Sequence, residues 1–198
     1  MTYSEFTQSV ALKKFGLSLD ERSDLFAPVV ERDASAWLKE TLAVMAPLAF
    51  ALQSEKARSE LVITPILTEI YRERGGKVKL FSGNVFNVDA SEGLSGFFDF
   101  LLTHSPSQTV IEAPVLAVVE AKKENVPAGY GQCIAMMVAA QRFNKNNQEP
   151  REAVYGAVTQ GDIWKFLSLT GTDLRIDFET YYLDRIERLL GVLWRVTE

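Results

Sequence analysis

Three polar residues lie inside or directly after apolar runs of the sequence. Asp99 interrupts the aromatic and aliphatic run 97–102, and Glu120 and Lys122 follow the apolar run 115–119. Because side chains alternate along a strand, Glu120 and Lys122 project from the same face. A carboxylate is costly to bury unless its charge is compensated, and a hard divalent cation can do this. Two carboxylates beside an ammonium group therefore indicate a metal-dependent phosphodiesterase site.

Each of these groups has a role in phosphodiester hydrolysis, which requires a nucleophilic water and stabilisation of charge at phosphorus. Asp99 and Glu120 are suitable ligands for Mg²⁺, and the backbone carbonyl of Ala121 can supply a third oxygen. The cation lowers the pKa of a bound water and neutralises developing charge. Lys122 is a compact cation that can contact the phosphate and orient the attacking water. The two carboxylates must then converge from neighbouring strands.

The elements that must position these residues are predicted from hydrophobic periodicity and turn signals. The patterns predict helices at 4–15, 34–52, 55–73, 130–143 and 180–195, and strands at 77–88, 96–102, 115–122, 153–159, 164–169 and 174–178. We expect Ser4 to cap the first helix and 16–28 to form a loop. Pro65 should kink the third helix or begin a new turn behind Thr64, and 82–84 should form a hairpin turn. This order of elements indicates an α/β fold with a mixed β-sheet and helices on both faces.

Length and composition restrict the class of protein. A chain of 198 residues fits a single domain. The net charge of −5 argues against tight non-specific binding of nucleic acid, although a bound metal offsets the charge of acidic ligands. Cys133 is the single cysteine, and no secretory signal or apolar stretch of about 18 residues is present. These features predict a cytoplasmic protein without a membrane partner.

The acidic residues and the lysine together resemble the PD-(D/E)XK nuclease superfamily. Asp99 matches the motif aspartate, Glu120 the second acid and Lys122 the lysine, whereas Phe98 replaces the proline that usually precedes the aspartate. The resemblance implies a restriction-endonuclease-like core of a helix, three antiparallel strands, a helix and a further strand. It also implies Mg²⁺- or Mn²⁺-dependent cleavage of DNA, with RNA as a further substrate to consider.

The same resemblance implies supporting residues and boundaries. Many members carry a glutamate on the first core helix, where Glu60 is the better match and Glu69 the weaker one, and a glutamine on the later helix, where Gln132 matches. The segment 155–164 is similar to a strand pair in the nuclease domains of type I restriction subunits. The nuclease-like core then covers 54–170, after an N-terminal helical extension at 1–53 and before a C-terminal strand and helix at 171–198. Many such enzymes dimerise, so a homodimer is one arrangement to test, with the N-terminal helices as its interface; the sequence does not give the oligomeric state.

Less specific interpretations remain open. The charged run 120–124 can be a solvated strand end, and Asp99 can pair with an arginine of the core. Glu60 can be an ordinary exposed helix residue, and Gln132 can cap its helix. The aromatic residues between 81 and 100 are more typical of a core than of a surface that stacks on bases. The whole fold can also serve as a non-catalytic binding or assembly module, which the acidic pI favours.

Overall fold

A mixed sheet of eight strands forms the centre of the protein. The computed structural model describes all residues, 1–198. The strands are β1 (Ser18–Asp20), β2 (Lys79–Ser82), β3 (Phe100–Thr103), β4 (Val115–Ala121), β5 (Val154–Thr159), β6 (Ile163–Thr170), β7 (Asp173–Ile176) and β8 (Tyr181–Tyr182). Their order is β1-β7-β6-β5-β4-β3-β2, and β8 pairs with β6. The pairs β1–β7 and β4–β5 are parallel and the others antiparallel.

Helices cover both faces of this sheet, which confirms the predicted mixed sheet flanked by helices. The helices are α1 (Gln8–Phe15), α2 (Ala36–Leu52), α3 (Glu55–Arg58), α4 (Thr64–Glu73), α5 (Tyr130–Asn146) and α6 (Ile186–Arg195). One apolar core contains α1 and α5, and the other contains α2, α4 and α6. Each core has 26 buried residues, so the central strands are buried on both sides. This explains the continuous apolar run of β4.

The connection from β4 to β5 is the crossover that parallel strands require, and α5 forms most of it. The helix packs closely on the sheet because β5 has a glycine beneath it. A Cβ at Gly156 would lie 2.5 Å from Sδ of Met137 and 2.7 Å from Sγ of Cys133. Gly156 therefore fixes how near α5 lies to the sheet. None of the helices is both long and apolar enough to span a lipid bilayer.

The predicted helix at 55–73 consists of three pieces. Between α3 and α4 lies a π-helical turn, Ser59–Ile63. Pro65 stands in the first turn of α4, directly after Thr64, in agreement with the prediction that it begins a new turn. Proline has no N–H to donate, and the wider π turn accommodates it. The hydroxyl of Thr64 donates to the carbonyl of Ser59 at 2.8 Å and closes this turn.

Two predictions for the N-terminal region are wrong. The first helix does not begin at Ser4, because a separate 3₁₀ turn spans Tyr3–Glu5 and the side chain of Thr7 caps α1 by accepting from the N–H of Val10. The predicted loop 16–28 contains β1, which pairs in parallel with β7. A strand of three residues is too short to show a periodicity, and its partner lies at the other end of the chain.

The strands before the site are shorter than predicted. β2 ends at Ser82 because Gly83 adopts a left-handed conformation, with φ of 63°, so the hairpin turn predicted at 82–84 does not form. The next residues pair instead with 94–98, through an isolated bridge between Val85 and Phe97. β3 begins only at Phe100. Asp99 therefore lies directly before a strand and not within one, which corrects the prediction.

Candidate active site

The pairing of β3 with β4 brings the two predicted carboxylates together. Phe100 pairs with Val119, and the next step in this antiparallel register places Asp99 opposite Glu120. The N–H of Ala121 donates to Oδ2 of Asp99 at 2.7 Å. The charge of Lys122 also acts on Asp99. The structure thus joins at one end of the sheet the three residues on which the sequence argument rests.

Glu120 is buried and only half satisfied by fixed hydrogen bonds. Its side chain is 1% exposed, and Nζ of Lys122 donates to its Oε1 at 2.5 Å. Its other oxygen, Oε2, accepts no hydrogen bond although it is buried. Burial, and next the charge of Asp99, raise the pKa of Glu120 from 4.5 to about 8. An unpaired buried acceptor is unfavourable, so this oxygen has free capacity to bind a cation.

Burial acts in opposite directions on the pKa values of Asp99 and Lys122, because one is an acid and the other a base. Burial raises the pKa of Asp99, against the stabilising N–H of Ala121 and the charge of Lys122. Burial alone would lower the pKa of Lys122, but the charge of Glu120 and its hydrogen bond raise it overall. Lys122 therefore remains an ammonium group at neutral pH, as a phosphate-binding role requires.

The stem of Lys122 lies beside a glycine of the crossover, Gly129. A Cβ at Gly129 would lie 2.5 Å from Cγ1 of Val158 and 3.2 Å from Cγ of Lys122. Gly129 therefore leaves room for the aliphatic stem of Lys122 between β5 and the start of α5. A side chain at position 129 would therefore collide with Val158 and crowd the stem of Lys122.

A small pocket opens beside Asp99. It has a volume of about 280 Å³, and its lining consists of Glu55, Lys56, Ser59, Glu60, Thr64, Ser82, Gly83, Asp99 and Ala121. Most of these residues are polar, as expected for a site that holds an ion and water. A larger cleft of about 580 Å³, which contains three arginines, shares no lining residue with this pocket.

Glu55 is a site residue that the sequence argument missed. Its Oε2 accepts from the N–H of Lys123 at 3.2 Å, and its charge raises the pKa of Asp99 and of Glu120 among the weaker causes. Ser54 caps α3, so an acid at Glu55 has an ordinary explanation as a first-turn helix residue. The sequence around Glu55 therefore indicated only the start of a helix and gave no sign that this residue lies beside the site.

Glu60 reaches only the pocket wall. Its side chain is 57% exposed and pairs with Nζ of Lys56 at 2.7 Å. It is not among the charges that shift the pKa of Asp99 or Glu120. The weaker candidate, Glu69, lies outside the pocket, where it binds the N–H and hydroxyl of Ser35 at the start of α2.

Gln132 is not joined to the other residues. It lies in the first turn of α5 and is half-buried, but it neither lines the pocket nor forms a hydrogen bond with Asp99, Glu120 or Lys122. The turn that carries Gly129 separates it from the end of β4. The expected supporting glutamine is therefore not part of the cluster in this structure.

One of the five phenylalanines between residues 81 and 100 lies outside the core. Phe81, Phe86, Phe98 and Phe100 are buried, as the sequence predicted, but Phe97 is 70% exposed. Side chains alternate along an extended segment, so when Phe98 points inward its neighbour points outward. Phe97 precedes Asp99 by two residues, within about 7 Å along the chain. An exposed aromatic ring thus lies near the pocket.

The donor set fits a hard cation of the Mg²⁺ or Mn²⁺ type. No group of three or more His, Cys, Asp and Glu side chains is arranged to hold a metal ion. Asp99 and Glu120 supply two carboxylates, and Ala121, whose N–H binds Asp99, can add its backbone carbonyl. Mg²⁺ is commonly bound by one or two carboxylates and keeps several waters. The unpaired Oε2 of Glu120 is the observation that supports this fit.

Comparison with known proteins gives no relative. The chain matches no protein-family model, no curated protein and no solved structure. The function of the protein is therefore inferred from the geometry at the end of β4.

Proposed function

We propose that this protein is a metal-dependent phosphodiesterase of restriction-endonuclease-like fold that cleaves DNA. The proposal depends on one observation: Asp99 and Glu120 converge beside Lys122 while Oε2 of Glu120 stays buried and unpaired. The topology supports it, because α3 and α4 precede the antiparallel strands β2, β3 and β4, and α5 then leads to the parallel strand β5. This is the order of elements that the resemblance to PD-(D/E)XK nucleases implies.

In this proposal Asp99, Glu120 and the carbonyl of Ala121 hold a Mg²⁺ or Mn²⁺ ion. When bound, the ion supplies positive charge to the phosphate and lowers the pKa of a water. Glu120 gives up its retained proton when it becomes a ligand, since only the carboxylate form binds a cation. Asp99 is held in place for the same task by the N–H of Ala121.

Lys122 acts on the substrate. Its ammonium group donates to Oε1 of Glu120 in the free protein and is only partly exposed, so its position is fixed before substrate arrives. A fixed ammonium group can donate to a non-bridging phosphate oxygen and orient the attacking water. Glu55 binds the N–H of Lys123 and so stabilises the chain directly after Lys122.

The surface near the pocket can receive a nucleic acid despite the acidic total charge. Lys56 lines the pocket and is largely exposed, and Lys123 follows the site lysine. Phosphate contacts of this kind orient the substrate without reading its sequence. Phe97 offers a ring on which an unpaired base can stack. RNA has the same phosphodiester and is a second substrate to test.

A non-catalytic binding or assembly module of the same fold is the second candidate. The short hydrogen bond from Lys122 to Glu120 favours it, because in a module the lysine would compensate the charge of an ionised Glu120 in place of a metal ion. In such a module this ion pair would be permanent and would only fix the end of β4. The two candidates differ in whether a divalent cation binds through Glu120.

The direct test is cleavage of supercoiled plasmid, linear duplex, single-stranded DNA and single-stranded RNA with Mg²⁺ or Mn²⁺, and with EDTA. We expect metal-dependent cleavage of at least one DNA form and its loss in Glu120→Gln and Lys122→Met. Glu124→Gln is the matched control, because Glu124 is an exposed acid of the same segment that pairs with Lys123. Wild-type protein that cleaves none of these substrates and binds neither metal would support the module instead.

A further inference from the structure

Helix α2 has two apolar sides, but the protein covers only one. Leu38, Ala46 and Ala49 are buried against the π-helical turn and α4, as an amphipathic helix would be. The opposite side is also apolar, and its large side chains are exposed, with Val44 at 74%, Leu48 at 51% and Leu52 at 57%. A helix that is apolar all round is normally buried on all sides. This uncovered side of α2, residues 37–52, is called the α2 face.

The α2 face has the spacing of a helix–helix contact. Trp37, Thr41, Val44, Leu48 and Ala51 succeed one another at intervals of four, three, four and three residues. This is the spacing of the seam between two packed helices, at which side chains of one helix insert between those of the other. The pattern therefore indicates that the missing partner is itself a helix.

The charge distribution favours a second copy of the same helix. Lys39 and Glu40 are the charged residues of α2, and none occurs after them up to Gln53. Two chains that each carry a net charge of −5 repel one another over most of their surfaces. An uncharged face is a region where two copies can meet without opposing like charges. Helices that lie on lipid usually carry lysine and arginine on their polar side, and α2 lacks such a side.

The size of the α2 face matches what a dimer needs. Typical side-chain areas, scaled by the exposed fractions of Trp37, Val44, Met45, Leu48 and Leu52, give roughly 500 Å² of apolar surface. A standard-size interface buries about 800 Å² per partner, and at the apolar share of homodimer interfaces, about 65%, this is again about 500 Å². We propose that two copies of this chain form a symmetric dimer by packing their α2 faces against each other. In a two-fold dimer each α2 then packs against the same helix of its partner.

Sedimentation of the full chain over a range of concentrations tests this dimer. A chain of 22.1 kDa is expected to sediment at twice that mass, and Leu48→Glu or Val44→Glu should raise the dissociation constant of the dimer by at least ~30-fold. Both positions are exposed in the single chain, so circular dichroism should be unchanged. Phe178→Glu, which alters an equally exposed apolar residue outside α2, is the matched control and should remain dimeric.

A covalent test does not depend on affinity. Cys133 is fully buried, so a cysteine introduced at position 48 is the single accessible thiol. Leu48→Cys should form an intermolecular disulfide under mild oxidation, while Phe178→Cys should not. A wild-type chain that is monomeric up to about 100 μM overturns the proposal, since standard interfaces are far tighter. A dimer that Leu48→Glu leaves intact, or a monomer that binds lipid vesicles through α2, overturns it as well.

Discussion

Two buried glutamates show how a structural carboxylate differs from one with capacity to bind a ligand. Glu69 on α4 is 2% exposed, and both of its oxygens are bonded, one to the N–H of Ser35 and the other to the hydroxyl of Ser35 and to Arg72. Glu120 on β4 is buried to the same degree, yet one oxygen has no partner. Burial alone therefore does not identify a site. The unfilled hydrogen-bonding capacity does.

The largest expected effect is on catalysis. Glu120→Gln keeps the shape of the side chain but removes the charge that holds the cation, so we expect cleavage of DNA to fall by at least ~10³-fold. Glu69→Gln, the matched change in the other buried glutamate, should retain activity within a few fold. Single-turnover cleavage by folded variants measures both. Equal losses in the two variants would remove the distinction between the glutamates.

The second effect is on the pH dependence of stability without metal. The pKa of Glu120 is raised from 4.5 to about 8 by burial first and by Asp99 next. Between these two values the folded protein holds a proton that the unfolded chain has lost. This group's contribution to stability is therefore greatest below about pH 4.5 and declines until the pH passes about 8.

The slope of that decline is at most ~1.4 kcal/mol per pH unit. The glutamine in Glu120→Gln does not titrate, so the variant does not lose this stability. The free energy of unfolding of the variant minus that of the wild type should therefore increase as the pH rises from about 5 to about 8. Urea unfolding in EDTA gives the difference at each pH. A difference that stays constant over this range would show that Glu120 titrates normally.

The third effect is on stability at neutral pH. Glu69→Ala removes the side chain that ties α4 to the start of α2 and leaves the N–H of Ser35 without its partner. We expect a loss of ~2–3 kcal/mol in the free energy of unfolding. Thermal and urea unfolding of the variant measure it. A loss below ~0.5 kcal/mol would mean that water replaces the Ser35 contacts without penalty.

The smallest effect separates the two acids near the pocket. Glu55→Gln removes a negative charge that acts at Asp99 and Glu120 and would help to attract a cation there. Glu60→Gln removes a charge that pairs with Lys56 on the surface. We expect roughly tenfold lower cleavage for Glu55→Gln and less than about twofold for Glu60→Gln. The reverse order would restore Glu60 to the role that the resemblance gives it.

The convergence of Asp99, Glu120 and Lys122 could be predicted because it depends on short-range rules. Alternation along β4 puts Glu120 and Lys122 on one face, and pairing of successive strands brings Asp99 opposite. The position of Glu55 beside the site could not be predicted in this way. The choice of Glu60 rested on the resemblance, and the π-helical turn Ser59–Ile63 rotates the side chains relative to a regular α-helix in a way that the sequence pattern does not show.

The elements of the fold that depend on tertiary pairing could not be predicted from the sequence either. Most of the predicted core helices and strands lie near their predicted positions because they are long and strongly periodic, but the helix predicted at 180–195 begins only at Ile186, after strand β8. β1 was missed because its three residues acquire their conformation from β7, at the far end of the chain. The start of β3 was misplaced because Gly83 and the bridge of Val85 with Phe97 depend on tertiary pairing, which a pattern of apolar residues does not encode. The exposure of Phe97 depends on the same pairing, because side chains alternate along the extended segment that it forms.

The most direct test is a calorimetric titration of the metal-free protein with Mn²⁺ near neutral pH, repeated in buffers with different enthalpies of ionisation. A cation held by Asp99 and Glu120 should bind at one site and release up to one proton, because Glu120 is largely protonated before binding. We expect this binding and its proton release to disappear in Glu120→Gln and to persist in Glu69→Gln. Absence of binding to the wild type, or binding that Glu120→Gln leaves unchanged, would contradict the assignment of a metal site to the end of β4.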